Sequence, residues 1–248
     1  MLIRLDVFLL LYFGWMAFTF MYSFVEKYSR DVTGALLRLP FTSRPFVLSL
    51  ISFVHSVPPL YYLMKGTYYI GFTGSIALTV FFVLMYWRDL PLSDELAARY
   101  LLAYVTCGGA YMLFHVYAPH HVYHISVFSP GSTYLTQEEF VLPSLHNTIA
   151  ALNILTLWKY RKNIWGAALI ALNTLVPFST LFLGHHWLYD ALAGIVLAAL
   201  IGNVTEGHRI KVHESLKGIN VKGIQLATAI GFLVSVYVLL IALTMPKP

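Results

Sequence analysis

The chain has 248 residues, 58% hydrophobic and only 11% charged, with a mean hydropathy of +0.71. Soluble domains carry roughly 25% charged residues, so this balance excludes a soluble globular protein and indicates a polytopic membrane protein. The net charge of +5 comes from basic residues in short loops between apolar runs, with no basic patch or aromatic recognition motif, which excludes nucleic-acid binding.

Runs near the roughly 20 residues needed to cross a bilayer fall at 6–25, 46–64, 68–87, 99–117, 164–183, 187–204 and 223–244, with a shorter one at 144–158. The first is too long for a signal-peptide core and precedes no convincing cleavage site, so it reads as a retained span. Ser29 to Pro40 mixes Arg30, Asp31 and Arg38 with Val32, Leu36, Leu37 and Leu39, which predicts a short amphipathic helix at the interface or a simple polar loop. Pro58-Pro59 and Pro177 are expected to kink their helices. Cys107 is the single cysteine, so there is no internal disulfide and no Cys/His metal spacing. The expected fold is an all-α polytopic membrane protein of about eight transmembrane helices in one domain, 1–248. Within it lie 1–45 (first span and interfacial helix), a six-helix core over 46–204, and an extra C-terminal span at 223–244.

If all eight spans cross, Lys27, Arg30, Arg38, Arg44, Arg88, Arg99, Lys159, Arg161, Lys162, Arg209, Lys211, Lys217 and Lys222 share one side. Only Arg4, Lys65 and Lys247 remain on the other. The positive-inside rule places the larger group in the cytoplasm and the loop Ala118 to Leu142 outside. That loop holds His120, His121, His124, Glu138 and Glu139, and long loops of this kind often cover a site.

Two stretches on that same side carry the chemistry. His186 and Asp190 are spaced i, i+4, so a helix starting near His186 would let the carboxylate fix the imidazole tautomer and leave the other ring nitrogen free. An aspartate just inside an apolar span is costly unless paired. Pro143 suits a first helical position, Ser144 and the free N–H groups beside it make an anion seat, and His146 is placed to act as a general acid. Ser179 could bond a phosphoryl oxygen or merely its own helix carbonyl.

Pro143-Ser144-Leu145-His146, followed by Ser179, His186 and Asp190 in a Ser-x6-His-x-x-x-Asp pattern, resembles the second and third signature motifs of the type-2 phosphatidic acid phosphatase superfamily. In detail, including Gly184-His185-His186 and Tyr117-Ala118-Pro119, the pattern is similar to the inositol phosphorylceramide synthase-like branch. The resemblance implies a lipid phosphotransferase acting on a phospholipid phosphodiester. His186 would form a phosphohistidine, Asp190 would orient it, and His146 would protonate the leaving oxygen. Ser144, Ser179, His185 and His120 would bind phosphate, with no metal and no cofactor. Partners would be a membrane lipid and an alcohol acceptor (inositol-like) or water, at an extracytoplasmic or lumenal site. Thr180 stands where such phosphatases carry an arginine, and no Lys-x6-Arg-Pro motif precedes residue 143 on the outer side, which suits a singly charged phosphodiester. The alternatives are a lipid phosphate phosphatase acting on phosphatidic acid or a polyprenyl diphosphate, a zinc-dependent membrane hydrolase using the clustered histidines, and a transporter with a His–Asp proton relay.

Overall fold

The computed structural model describes residues 1–125 and 139–206, together with Gly223 and Ile230. Apart from those two positions, the expected span 223–244 lies outside the described residues, as does Glu138. Helix α1 (Leu2–Val25) is followed by strand β1 (Arg30–Asp31) and a single turn, α2 (Thr33–Leu36). Segment 29–40 is therefore not an amphipathic interfacial helix. Arg30 and Asp31 pair in parallel with β2 (Phe114–His115), and Leu36 is buried in a cluster with Val116 and Trp187.

Helix α3 (Arg44–His55) begins with Pro45 in its first turn and ends at Ser56. Pro58 and Pro59 then open α4 (Pro58–Gly66) rather than kinking a longer helix. Proline lacks an N–H for the preceding turn but fits the first turn of the next helix. A π-helical turn (Thr67–Gly71) joins α4 to α5 (Phe72–Phe81), and a second (Phe82–Tyr86) extends it. The result is a continuous apolar helix, Pro58–Tyr86, of 29 residues, about 43 Å long at 1.5 Å per residue.

Asp89 caps α6 (Leu90–Leu113) by accepting from the Leu92 N–H at 3.3 Å. After α7 (Pro119–Val122) come α8 (Leu145–Leu157), α9 (Ile164–Phe182) and α10 (Leu188–Thr205). Helix α8 is central, with α5, α6, α9 and α10 around it, and α1 packs on α6. Among the described residues, four helices are long and apolar enough to cross a membrane: Leu2–Tyr22, Pro58–Tyr86, Ile164–Phe182 and Leu188–Thr205. Along the buried face of α8, Asn153 accepts from Tyr100 Oη at 2.6 Å and donates to Asn173 at 3.0 Å, so polar groups inside the bundle satisfy one another.

The ends of the bundle carry charge differently from the expected topology. At one end, Arg4 forks onto Asp94 at 2.6 and 2.7 Å, Lys159 pairs with Asp89, and Arg99 pairs with Glu95 and donates to Thr156 at 2.7 Å. At the other end, β1, α2 and α3 gather with the start of α8 and α10. The 12 residues of α3 reach about 18 Å, too short for a roughly 30 Å hydrocarbon core. Expected spans 46–64 and 68–87 thus become one short helix and one long one, which removes a crossing. Lys27, Arg30, Arg38 and Arg44 move to the end that carries the histidine motifs, with Lys65. Arg4, expected on the motif side, moves the other way to pair with Asp94, where it joins Arg88, Arg99, Lys159, Arg161 and Lys162, and the near-even division among the described residues no longer decides orientation.

Candidate active site

The first turn of α8, the C-terminal end of α9 and the turn into α10 meet at one point. Ser144 N-caps α8, its Oγ accepting from the Asn147 N–H at 3.3 Å. Its own N–H donates to the Asp190 carbonyl at 3.1 Å, tying α8 to α10. Gly194 makes this approach possible: a methyl there would stand 2.5 Å from the Ser144 carbonyl oxygen. Between α9 and α10 the chain turns at Gly184, whose φ of +71° suits glycine. The Thr180 carbonyl then accepts from the N–H groups of His185 and His186, at 2.9 and 3.1 Å. Trp187, buried beside them, donates from Nε1 to the Tyr117 carbonyl at 2.8 Å.

Helix α10 begins two residues after His186, yet Asp190 in its first turn still reaches the imidazole. His186 Nδ1 lies 2.8 Å from Asp190 Oδ2, both side chains buried. The other carboxylate oxygen accepts from the Ala191 N–H at 2.9 Å. With Nδ1–H donating to the Asp190 carboxylate, His186 Nε2 holds a lone pair. Around that lone pair stand Ser144 Oγ at 3.2 Å and His146 Nδ1 at 3.4 Å. A nucleophilic nitrogen, an orienting carboxylate, a hydroxyl and a second imidazole are the groups that phosphoryl transfer through nitrogen requires.

Two features escaped the sequence reading. Asn147 is fully buried and donates from Nδ2 to Ser144 Oγ at 3.0 Å and to Thr180 Oγ1 at 3.3 Å. An asparagine directly after His146 in the first turn of α8 was the available signal. The π-turn after α4 also presents Tyr68, stacked on His185 at 4.0 Å and 7° and lying 5.3 Å from His146. Phe72, one turn on, lies 4.6 Å from His146. π-turns are frequent at functional sites, but nothing in the sequence distinguished these aromatics from packing residues.

The remaining expected residues divide. Ser179 Oγ donates to the Val176 carbonyl at 2.7 Å, so its proton is committed within α9 rather than offered to His186. His120 lies at the rim, its Nδ1 3.0 Å from the Gly184 carbonyl and its ring 5.2 Å from His185. His185 backs His146 through Tyr68, and burial together with His120, His186 and His146 holds its imidazole well below the ordinary histidine range. His121 stacks on Tyr117, and His115 bonds Ser29 Oγ at 3.0 Å, both away from His186. Among the described residues no group of three or more His, Cys, Asp and Glu is placed to hold a metal ion, so the zinc alternative finds no assembled ligand set.

A family model described as the PAP2 superfamily matches residues 35–203, which includes every group around His186. The chain is also similar to an uncharacterized protein of Methanocaldococcus jannaschii, with 27% identity over 195 residues that cover 75% of this chain and 77% of that protein. No solved structure matches the chain.

Proposed function

The chain belongs to the PAP2 superfamily, and from that premise we propose that it is a membrane lipid phosphotransferase acting on a phospholipid phosphodiester, in the manner of an inositol phosphorylceramide synthase. The observation that carries this reading is the oriented His186, with Asp190 on Nδ1 at 2.8 Å and Ser144 and His146 facing Nε2. His186 Nε2 attacks phosphorus, and the bond from phosphorus to the leaving oxygen breaks. His146 gives that oxygen its proton. In the second half, His146 takes the proton of an acceptor hydroxyl, whose oxygen attacks phosphorus and breaks the P–N bond. An alcohol acceptor makes this a transferase, whereas water makes it a phosphodiesterase on a diester and a lipid phosphatase on a monoester.

Support for a singly charged phosphodiester is chemical. The groups touching Ser144 and His186 Nε2 are an amide, hydroxyl oxygens and an imidazole, where a dianionic monoester would call for arginine or lysine. We place the site end on the extracytoplasmic side. Support for that is that Arg209 and Lys211 follow closely in sequence on Glu206, at the opposite end of the bundle. The test is to incubate the purified protein with phosphoryl-labelled diester, monoester and diphosphate lipids, with and without alcohol acceptors. An alkali-stable, acid-labile phosphoenzyme that is lost in His186→Ala, with label passing from the diester to an alcohol, is expected. Full turnover by His186→Ala would end the reading, and label released only to water from a monoester would replace the transferase with the phosphatase.

A further inference from the structure

The hydrogen bonds around Ser144 determine where its proton must be, and Asn147 determines them. Ser144 Oγ has three polar neighbours: the Asn147 N–H at 3.3 Å, Asn147 Nδ2 at 3.0 Å and His186 Nε2 at 3.2 Å. The first two are donors and fill the hydroxyl's two lone pairs. Its proton therefore points at the third, whose lone pair is available because the Nδ1 proton faces Asp190. The orientation of the amide is fixed in the same way. Thr180 Oγ1 donates to the Pro177 carbonyl at 2.8 Å and so presents only lone pairs to Asn147. A flipped amide would set its oxygen against the Thr180 lone pairs, whereas the observed one keeps both N–H groups bonded and leaves Oδ1 without a hydrogen-bond partner among the described residues.

We infer that Asn147 is a positioning residue of the phosphoryl-transfer site, whose side-chain amide, braced by Thr180, makes the Ser144 hydroxyl a donor only, aimed at the nucleophilic Nε2 of His186. This rests on the phosphotransfer reading above and deepens it. In the resting site the nucleophile's lone pair is covered by the serine proton. An arriving phosphoryl oxygen takes that hydrogen bond, which uncovers Nε2 for attack and stabilises the charge growing on the same oxygen. Because Asn147 keeps both serine lone pairs filled, the hydroxyl cannot turn its oxygen towards the anion. No atom of Asn147 needs to touch the lipid.

The test is a double-mutant cycle in the full-length protein, on whichever phospholipid it turns over. Asn147→Leu should lower kcat by ~10- to 100-fold, with KM changed less than about threefold, since a donor already in the site loses only its aim. In a Ser144→Ala background the same change should do nothing further, because the two residues act through one proton. Thr180→Val, a milder change if Asn147→Leu fails to fold, should lower kcat less and should likewise lose its effect when Ser144 is alanine. Losses that multiply, or an Asn147→Leu protein with wild-type kcat, would overturn the assignment. A readout that needs no substrate separates this from failure of the functional reading. In nitrogen-15 spectra of histidine-labelled protein, the His186 Nε2 resonance should move towards that of an unbonded imidazole nitrogen in Asn147→Leu. An unmoved resonance overturns the inference even if the lipid chemistry is correct, and a moved one sustains it even if none of the tested lipids reacts.

Discussion

Gly194 offers the sharpest test of how the site is held, because one methyl group separates the two helices that build it. In Gly194→Ala the new carbon would lie 2.5 Å from the Ser144 carbonyl oxygen, with Thr148 Oγ1 at 3.1 Å and the Thr148 nitrogen at 3.2 Å. All three atoms are fixed by the first turns of α8. The helices must therefore part by roughly 0.5–1 Å to restore ordinary contact. Two bonds bridging them would stretch: Ser144 N–H to the Asp190 carbonyl at 3.1 Å and Thr148 Oγ1 to the Gly194 carbonyl at 3.1 Å. Overpacking of this kind costs ~1–3 kcal/mol, an apparent melting point lower by about 2–12 °C in detergent. The same shift carries Ser144 away from His186, and misplacement on the order of 1 Å costs ~100-fold in rate. Gly202→Ala on the same helix is the control, since among the described residues its methyl would meet only Leu155 Cδ1, the movable end of a side chain, at 2.9 Å. Thermal unfolding and turnover measured on both variants decide the matter. If Gly194→Ala behaves like Gly202→Ala in both assays, the close α8–α10 approach does not hold the site.

Further outcomes follow from the same contacts. Asp190→Asn turns an amide towards His186 Nδ1, favours the proton on Nε2 and so blocks the nucleophile; phosphoenzyme formation should fall by ~10³- to 10⁴-fold, with the fold intact by circular dichroism. Ser179→Ala should retain turnover within about threefold, because its hydroxyl serves only the Val176 carbonyl, while Ser144→Ala should lose ~10²- to 10³-fold. Arg4→Ala strands the Asp94 carboxylate, only 3% exposed, and should cost ~3 kcal/mol or more, read as a lowered melting point. Stability should also depend on pH through His185. Its folded imidazole is held below the ordinary value, so the unfolded chain binds the proton first. That contribution is complete above about pH 6.5 and is lost as pH falls below it, with melting points at pH 7.5 and 5.0 as the check.

Much of the local chemistry could be read from the chain in order. The i, i+4 spacing of His186 and Asp190 survives even though α10 starts two residues late, because the carboxylate in its first turn still points back at the imidazole. Pro143 and Ser144 marked a helix start nearby, but Pro143 is not the first helical residue: Ser144 is the N-cap and the helix begins at Leu145. These are properties of single turns, settled by residues within a few positions of one another, as is the apolar composition that requires a helical membrane bundle. Other features depended on counting and packing across the whole molecule. Whether Pro58-Pro59 kinks one helix or starts another is not written in the dipeptide, since proline serves both uses. Its resolution as a helix start moved Lys27, Arg30, Arg38 and Arg44 to the histidine end of the bundle and Arg4 away from it. Ser144 and His186 are 42 positions apart, and Asn147 and Thr180 are 33 apart. Their meeting required α8 to sit between α9 and α10, at a separation that only Gly194 permits. Hydrophobic period and capping specify each helix by itself; which side chains share a proton is set by how closely the helices approach, and that distance is a property of the packed bundle alone.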